Sequence, residues 1–464
     1  MSTVSVSPLE AFQWTPQPRA QALVDRLIAD FQTHNAAGPL LAKLMIEETG
    51  TRFGDWVDSV IVPRKNGAIL GEIESVGFQR QGEDDQRPIV FAHPGGMFPR
   101  LVVEDVPITR LLIKADSVAD FAAANIWCEG ELQGEPFAPL RMCAAVREGD
   151  YELAIVERHG YRGYELDEHG DSRAGAAMQA LESFRRRKRD FDEDEAGFAE
   201  VHRLVDQAIS KLGVDRACDL FFQSEREYWQ RRNRAAQVQK FRQDRLGLGW
   251  ANHDHHTYRS SRQHFTKLVS LWEKLGFTIR ERFYAGREAG WGAQVMEQPV
   301  CGITTFNDVD LSPDELFNDF AHEPLAPRET LGTVGLWCGL HGDSLLQAGM
   351  HHLEAQFDFD ELRDQLESTA NVRVMKPFTE FPYLRQAFTE GERWPVAEKR
   401  IARLLSQHLI TEQQAEQFRE RGAIGSHLEN LERNDGFKGF NQEGVSEIIA
   451  ATDPRKQRFL MSGA

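Results

Sequence analysis

The sequence is short of cysteine, of positive charge and of long apolar runs. Its five cysteines (Cys128, Cys143, Cys218, Cys301 and Cys338) are odd in number, widely spaced and never arranged as Cys-x-x-Cys. That excludes a disulfide framework and a zinc ribbon, and it suits a reducing cytoplasm. Lysine and arginine number 54 against 72 acids, a formal charge of -18. Nucleic acid is not an expected partner, because phosphate binding needs clustered cations that displace counterions. No apolar stretch approaches the roughly 20 residues that span a bilayer. The opening MSTVSVSPLEAFQWTPQPRAQ has no charged region leading into an apolar one, so neither export nor membrane attachment is expected and the expected location is cytoplasmic. The glycine-bearing turns HPGGMFPR and GLWCGLHGD fit neither the P-loop nor the dinucleotide fingerprint. Small molecules are the remaining partners.

At 464 residues with 41% hydrophobic content, the chain is long enough for two or three domains, each with its own core. The sharpest shift in composition is FRRRKRDFDEDEAG, residues 184 to 197, where cations run directly into acids; such blocks are expected as a solvated linker or helix end. Before it, strand-like runs (WVDSVIVP, RPIVFAH, ITRLLIKA, YELAIVER) alternate with Gly/Pro turns and a few helical patterns. After it come two amphipathic helices, AGFAEVHRLVDQAISKL and SEREYWQRRNRAAQVQKFRQDRL. The reading is α+β: an N-terminal accessory domain over 1–184, a charged and helical connector over 185–248, and a functional domain over 249–464.

The last region opens on WANHDHHTYRSSRQHF, residues 250 to 265, which holds four of the chain's 15 histidines. It reads as strand, helix, then three strands (FTIRERFYA, WGAQVMEQP, CGITTFND). A second copy begins at AGMHHLEAQF, with the helical DFDELRDQLES and the strand-like NVRVMKPF. Both copies open on a strand bearing a His-His pair, as expected of two βαβ-type modules that pair to make one cleft. In the N-terminal half, ITRLLIKADSVADFAAANI and YELAIVERHGYRGYEL resemble a decayed copy without the histidines.

Strand alternation predicts His253, His255, Thr257 and Arg259 on one face, with Asp254, His256 and Tyr258 on the other. In the second copy, Met350, His352, Glu354 and Gln356 share a face and His351 turns away. Two strand histidines and one carboxylate would make the facial triad of non-haem Fe(II) oxygenases. The carboxylate is sought downstream of His352, where Glu380, Glu390 and Glu392 lie; Glu390 is preferred, being far enough along for the chain to turn and come back. A strand histidine is more often a hydrogen-bonded structural residue than a ligand, and zinc takes the same ligand types. The residues alone leave metal site and structural histidines about equally open.

At Asp254, His255, Tyr258, Arg259 and Ser260 the sequence resembles the D-H-x-x-F-R-[ST] signature of the 2-oxoadipate dioxygenase/decarboxylase family, related to hydroxyglutarate synthase and part of the vicinal oxygen chelate superfamily. His352 and Leu353 match its N-H-[VL]-T signature, with His351 and Glu354 departing. FTEGER (Phe388 to Arg393) approximates its Y-I-E…E-R acidic signature, FTEFPYLR (Phe378 to Arg385) matches it less well, and Asp435, Gly436, Phe437 and Asn441 match its D-G-F-x-x-x-N tail. The likeness covers about residues 215 to 460. ERHGYR (Glu157 to Arg162) is read as a coincidental echo, its His and Arg falling on opposite strand faces.

The resemblance implies paired βαβββ modules around a metal cleft, with His255, His352 and Glu390 as both metal ligands and catalytic centre. It further implies Fe(II), with Zn, Mn or Ni as alternatives, and a 2-oxoadipate-like 2-oxo acid held by Arg259. With O2 such an acid is decarboxylated, releasing CO2 and giving a hydroxy acid. Asp254, His253 and Thr257 are the expected partners that fix the ligands. The competing expectations are a lyase, isomerase or hydrolase of the same superfamily without oxygen chemistry, and a non-catalytic binding protein.

Overall fold

The computed structural model describes residues 14–64, 68–82, 88–166, 173–441 and 453–455. Two helices, α1 (Pro18–His34) and α2 (Ala37–Thr49), lead into a first pair of modules. Its strands and helices are β1 (Val57–Pro63), α3 (Ala68–Ser75), β2 (Gln79–Gln81), β3 (Ile89–Ala92) and β4 (Arg100–Glu104). Then come β5 (Thr109–Lys114), α4 (Val118–Ala124), β6 (Leu132–Gln133), β7 (Leu140–Glu148) and β8 (Tyr151–Arg158). The sheet order is β2-β3-β4-β1-β5-β8-β7-β6: two βαβββ units joined where β1 meets β5 antiparallel. One face packs on α1 and α2 through Leu23, Leu27, Phe31, Leu41, Val60 and Leu111.

Four helices follow: α5 (Ala174–Arg185), α6 (Asp194–Leu212), α7 (Val214–Gln230) and α8 (Arg234–Asp244). The basic run between α5 and α6 is not a solvated linker. Arg187 and Arg189 are buried, and both bind Glu225 of α7, at 2.9 and 2.5 Å. Arg189 also lies over the Tyr228 ring. Against its burial, the two guanidinium groups hold the Glu225 carboxyl below its ordinary range. A buried carboxylate between two arginines satisfies charges that sequence composition assigns to the surface.

The second pair of modules comprises β9 (His253–Arg259), α9 (Phe265–Lys274), β10 (Thr278–Tyr284), β11 (Trp291–Gln298) and β12 (Ile303–Asp310). After α10 (Thr333–His341) come β13 (His352–Gln356), α11 (Phe359–Ala370), β14 (Thr379–Phe381) and β15 (Leu384–Phe388). The chain then makes β16 (Glu392–Trp394), α12 (Glu398–Ser406), α13 (Glu412–Arg421) and β17 (Ala423–Arg433). The order β10-β11-β12-β9-β13-β17-β15-β14 is again two βαβββ units, so the expected paired modules are what the chain forms. NVRVMKPF is not a strand; it contributes one isolated bridge, Val374 to Thr389, and the strand comes later.

Local chemistry sets the element ends. Asp358 caps α11 by accepting from Glu361 N, and Asn371 closes it in the left-handed conformation. Asn pays less than most residues for that conformation, since its short polar side chain bonds locally. Thr411 and Gln414 form a reciprocal capping box at the start of α13. The far side of β9 and β13 is the main core, where Tyr258, Leu353 and Ala355 meet Phe222, Trp272 and Leu362.

Candidate metal centre

Three strands bring the site together. His255 of β9 stands opposite Glu354 of β13, which stands opposite Glu429 of β17; one step along the same face, Thr257, His352 and His427 make a second row. All six are buried. His255 Nε2 lies 3.1 Å from Glu354 Oε1, the His352 Nε2 contacts the same oxygen, and Glu429 Oε2 is 3.7 Å from His352 Nε2. His351 Nδ1 meets His352 Nδ1. Two compact groups of ligand atoms result, His255/Glu354/Glu429 and His351/His352/His427.

A bulge places the support for His255. His255 pairs with Glu354 but His253 with Ala355, so two residues of β9 face one step of β13. Asp254 therefore swings under its neighbour, and His255 Nδ1 donates to Asp254 Oδ1 at 2.9 Å. Arg433 clamps the carboxylate from the other side at 2.8 and 3.1 Å, and Gln356 donates to it at 3.1 Å. With its proton on Nδ1, His255 turns an Nε2 lone pair to the cluster, as a metal ligand must. Thr257 Oγ1 donates to Glu354 Oε1 at 2.9 Å, and Gln386 Nε2 to Glu429 Oε1 at 2.8 Å. Of the expected supports, Asp254 and Thr257 touch the cluster. His253 does not: it faces away, with its Nδ1 unpartnered.

Burial sets the charges. It holds the His255 imidazole down to about 4, His427 down to about 3, and His351 and His352 well below their ordinary value. These rings are neutral at pH 7. Burial, together with the Glu429 charge, pushes the Glu354 carboxyl well up, and burial pushes Glu429 up to about 7. Two facing carboxyl groups with neutral imidazoles around them need a shared proton or a cation. Glu354 Oε2 and both His427 nitrogens have no hydrogen-bond partner. Nitrogen and oxygen donors of this kind fit a first-row divalent ion.

The cavity over the cluster is about 60 Å³, with Phe283, Trp291, Phe306, Phe378, Phe388 and Phe440 among its walls. Arg259 lies in it, its Nε 3.4 Å from Asp308 Oδ2. Burial pushes the Asp308 carboxyl up to about 7 even beside that guanidinium.

Of the sequence-predicted residues, the structure brings His255, His352 and Arg259 to one cavity. It does not bring Glu390, whose side chain is 60% exposed and 3.9 Å from Arg373. Glu380 is exposed on the edge strand β14, and Glu392 accepts from the Arg234 backbone N. The acids at the cluster are Glu354 and Glu429. His351, expected to turn away, joins them because it precedes β13 and escapes the strand's alternation. Glu429 is not apparent from the sequence because α12 and α13 are inserted between β15 and β17, carrying the module's final strand far beyond Glu392. A signal existed: His427-Leu428-Glu429 followed by Glu432-Arg433 matches the Y-I-E…E-R pattern at least as well as FTEGER does; in the structure this strand is buried nearly throughout, as a central strand is.

No family model matches this sequence, and no curated protein matches it. Among solved structures, a mutant 4-hydroxymandelate synthase from Streptomyces coelicolor aligns with TM-score 0.25 and 13% identity, over 87% of this chain and 98% of its own. A putative glyoxalase superfamily protein from Ralstonia eutropha aligns at 0.31 and 12%, over 57% and 93%. A methylmalonyl-CoA epimerase from Mycobacterium tuberculosis aligns at 0.23 and 12%, over 40% and 89%. The chemistry of the site rests on its own residues.

Proposed function

We propose that the protein is a non-haem Fe(II) dioxygenase/decarboxylase that acts on a 2-oxo acid. The observation that supports this most is the buried row of His255, Glu354 and Glu429 with His352 beside it, two neutral imidazoles and two carboxyl groups on adjacent strands. His255, His352 and Glu429 are the proposed ligands, with Glu429 rather than the surface residue Glu390 as the carboxylate. Iron bound there would supply a template for the 2-oxo acid and a means of activating O2.

The chain's own residues do the rest. Asp254 fixes the His255 tautomer, Gln386 orients Glu429, and Thr257 orients Glu354. Arg259 offers its guanidinium to a substrate carboxylate, in competition with Asp308, whose raised carboxyl is a weak rival. The aromatic walls exclude water and favour a 2-oxo acid whose remaining side chain is uncharged, since Arg259 is the only cation lining this cavity among the described residues.

Glu354 gives one reason to keep a second reading. A carboxyl group raised by burial is suited to proton transfer, as in a lyase, isomerase or hydrolase using Zn, Mn or Ni without O2. Metal analysis of anaerobically purified protein, then oxygen uptake with Fe(II) and a panel of 2-oxo acids, separates the two. One iron per chain with uptake dependent on the 2-oxo acid is expected. Stoichiometric zinc and no uptake would leave the Lewis-acid reading.

A further inference from the structure

The first pair of modules carries no metal cluster among its described residues, and its corresponding face is cationic. By strand order and position, Ser59, Leu112 and Ala154 stand where His255, Glu354 and Glu429 stand in the second pair. None of the three is a metal ligand of ordinary kind. Around them lie Arg100, Lys114, Arg158 and Arg162, all lining a cleft of about 1050 Å³ between the two sheets.

Four cations here face one central carboxylate. Asp58 is taken by Arg158, at 2.8 and 2.9 Å, and by Arg100 at 3.3 Å. Arg100 and Arg158 are further held by the Tyr164 ring and by backbone carbonyls of the 161–166 segment. Asp55 is bound by Arg52. Lys114 and Arg162 have no ion pair or side-chain hydrogen bond among the described residues. Across the cleft, Arg226 lies 3.4 Å from His256 Nε2, with the Asp116 and Asp219 carboxyls acting on its charge, and His253 presents its unpartnered Nδ1. The cleft is lined by as many acids as cations overall, but Asp55, Asp219, Glu227, Asp254 and Glu297 each have a basic partner, and the unpaired Lys114 and Arg162 between low-dielectric walls focus potential on an anion.

We infer that this cleft binds a small polyanion, one bearing phosphate or clustered carboxylate groups, through Lys114 and Arg162 on one wall and Arg226 on the other. Asp58 with its two arginines is the fixed base of the site and Lys114 and Arg162 are its free donors. The site lies on the other side of Asp254 and Arg433, which line the cleft as well as supporting His255, and its free donors are not part of the proposed metal centre.

Calorimetric titration of the full chain with inorganic phosphate and, separately, with citrate tests this. Expected is saturable binding at one site per chain by at least one probe, and the tighter probe tells phosphate from carboxylate. Lys114→Met and Arg162→Gln should each weaken it at least about 10-fold, the loss of one charge-assisted hydrogen bond. Arg419→Gln, a surface cation paired with Glu398, should leave it unchanged, and His352→Ala should too. No saturable binding by either probe overturns the inference. So does binding that survives both cleft substitutions, or that weakens equally in Arg419→Gln.

Discussion

Exchanging His255 or His352 for alanine, or Glu429 for glutamine, should lower metal affinity by more than about 100-fold, since loss of an outer supporting group alone costs roughly 10- to 100-fold. Glu390→Gln should leave metal content unchanged, because that side chain is at the surface. Metal analysis after equilibrium dialysis decides both; full occupancy in the two histidine variants would remove the assignment. Gln386→Met keeps the bulk and deletes the hydrogen bond to Glu429, and about a 10-fold weaker metal affinity is expected. Arg259→Ala should retain metal and lose affinity for the 2-oxo acid, read as a raised KM. At this scale the two histidines and the arginine were legible, because side chains two apart on a strand share a face. Asp254 is the support expected of it, although alternation alone sets it on the opposite face; the bulge that lets it reach His255 depends on the partner strand, which local alternation does not contain.

Among elements, β9 through β12 were legible as strand, helix and three strands because that unit is continuous in sequence. The second unit was not, since β16, α12 and α13 stand between β15 and β17, and β17 pairs with both β13 and β15 only in three dimensions. The inserted helices pack on α10 through Leu336, Leu340, Ile401, Leu404 and Phe418, so their stability supports the strand carrying Glu429. Thr411→Ala removes one half of the α13 capping box and should cost about 1 kcal/mol, measured as a lower urea midpoint at unchanged slope. A midpoint equal to that of the parent protein would show that α13 is held by packing alone. The Arg187–Glu225–Arg189 triad is the other element-level surprise. Glu225→Gln leaves two buried guanidinium groups short of their counter-charge and should destabilise by roughly 3–5 kcal/mol, again by urea unfolding.

For the whole molecule, buried imidazoles set the response to acid. Unfolded histidine takes up its proton near 6.5, whereas burial holds His255 to about 4 and His341 and His427 to about 3. Below pH 6.5 the unfolded chain therefore binds more protons, so this contribution is complete above that pH and is lost as pH falls towards the folded values. Glu354, Glu429 and Asp308 act in the opposite sense: their raised carboxyls lower the stability of the metal-free protein as pH rises from about 4 towards 7. The histidines are more numerous. The thermal midpoint should fall between pH 7.5 and pH 5, and added metal should raise it most at the upper end. Calorimetry across that range with and without metal measures both effects, and a flat midpoint would contradict the first.

Composition and periodicity alone determined that this chain is an α+β protein with a His-bearing module repeated, and that His255, His352 and Arg259 face one cleft, though not that His253 leaves it or that His351 and His427 join it. Those are consequences of covalent order and of the two-residue repeat of a strand. Which carboxylates join them, that the basic run is buried, and that the first pair of modules presents cations instead of a cluster were decided by tertiary structure. Each depends on residues far apart in sequence meeting across a sheet, and no local pattern records which strand will lie beside which.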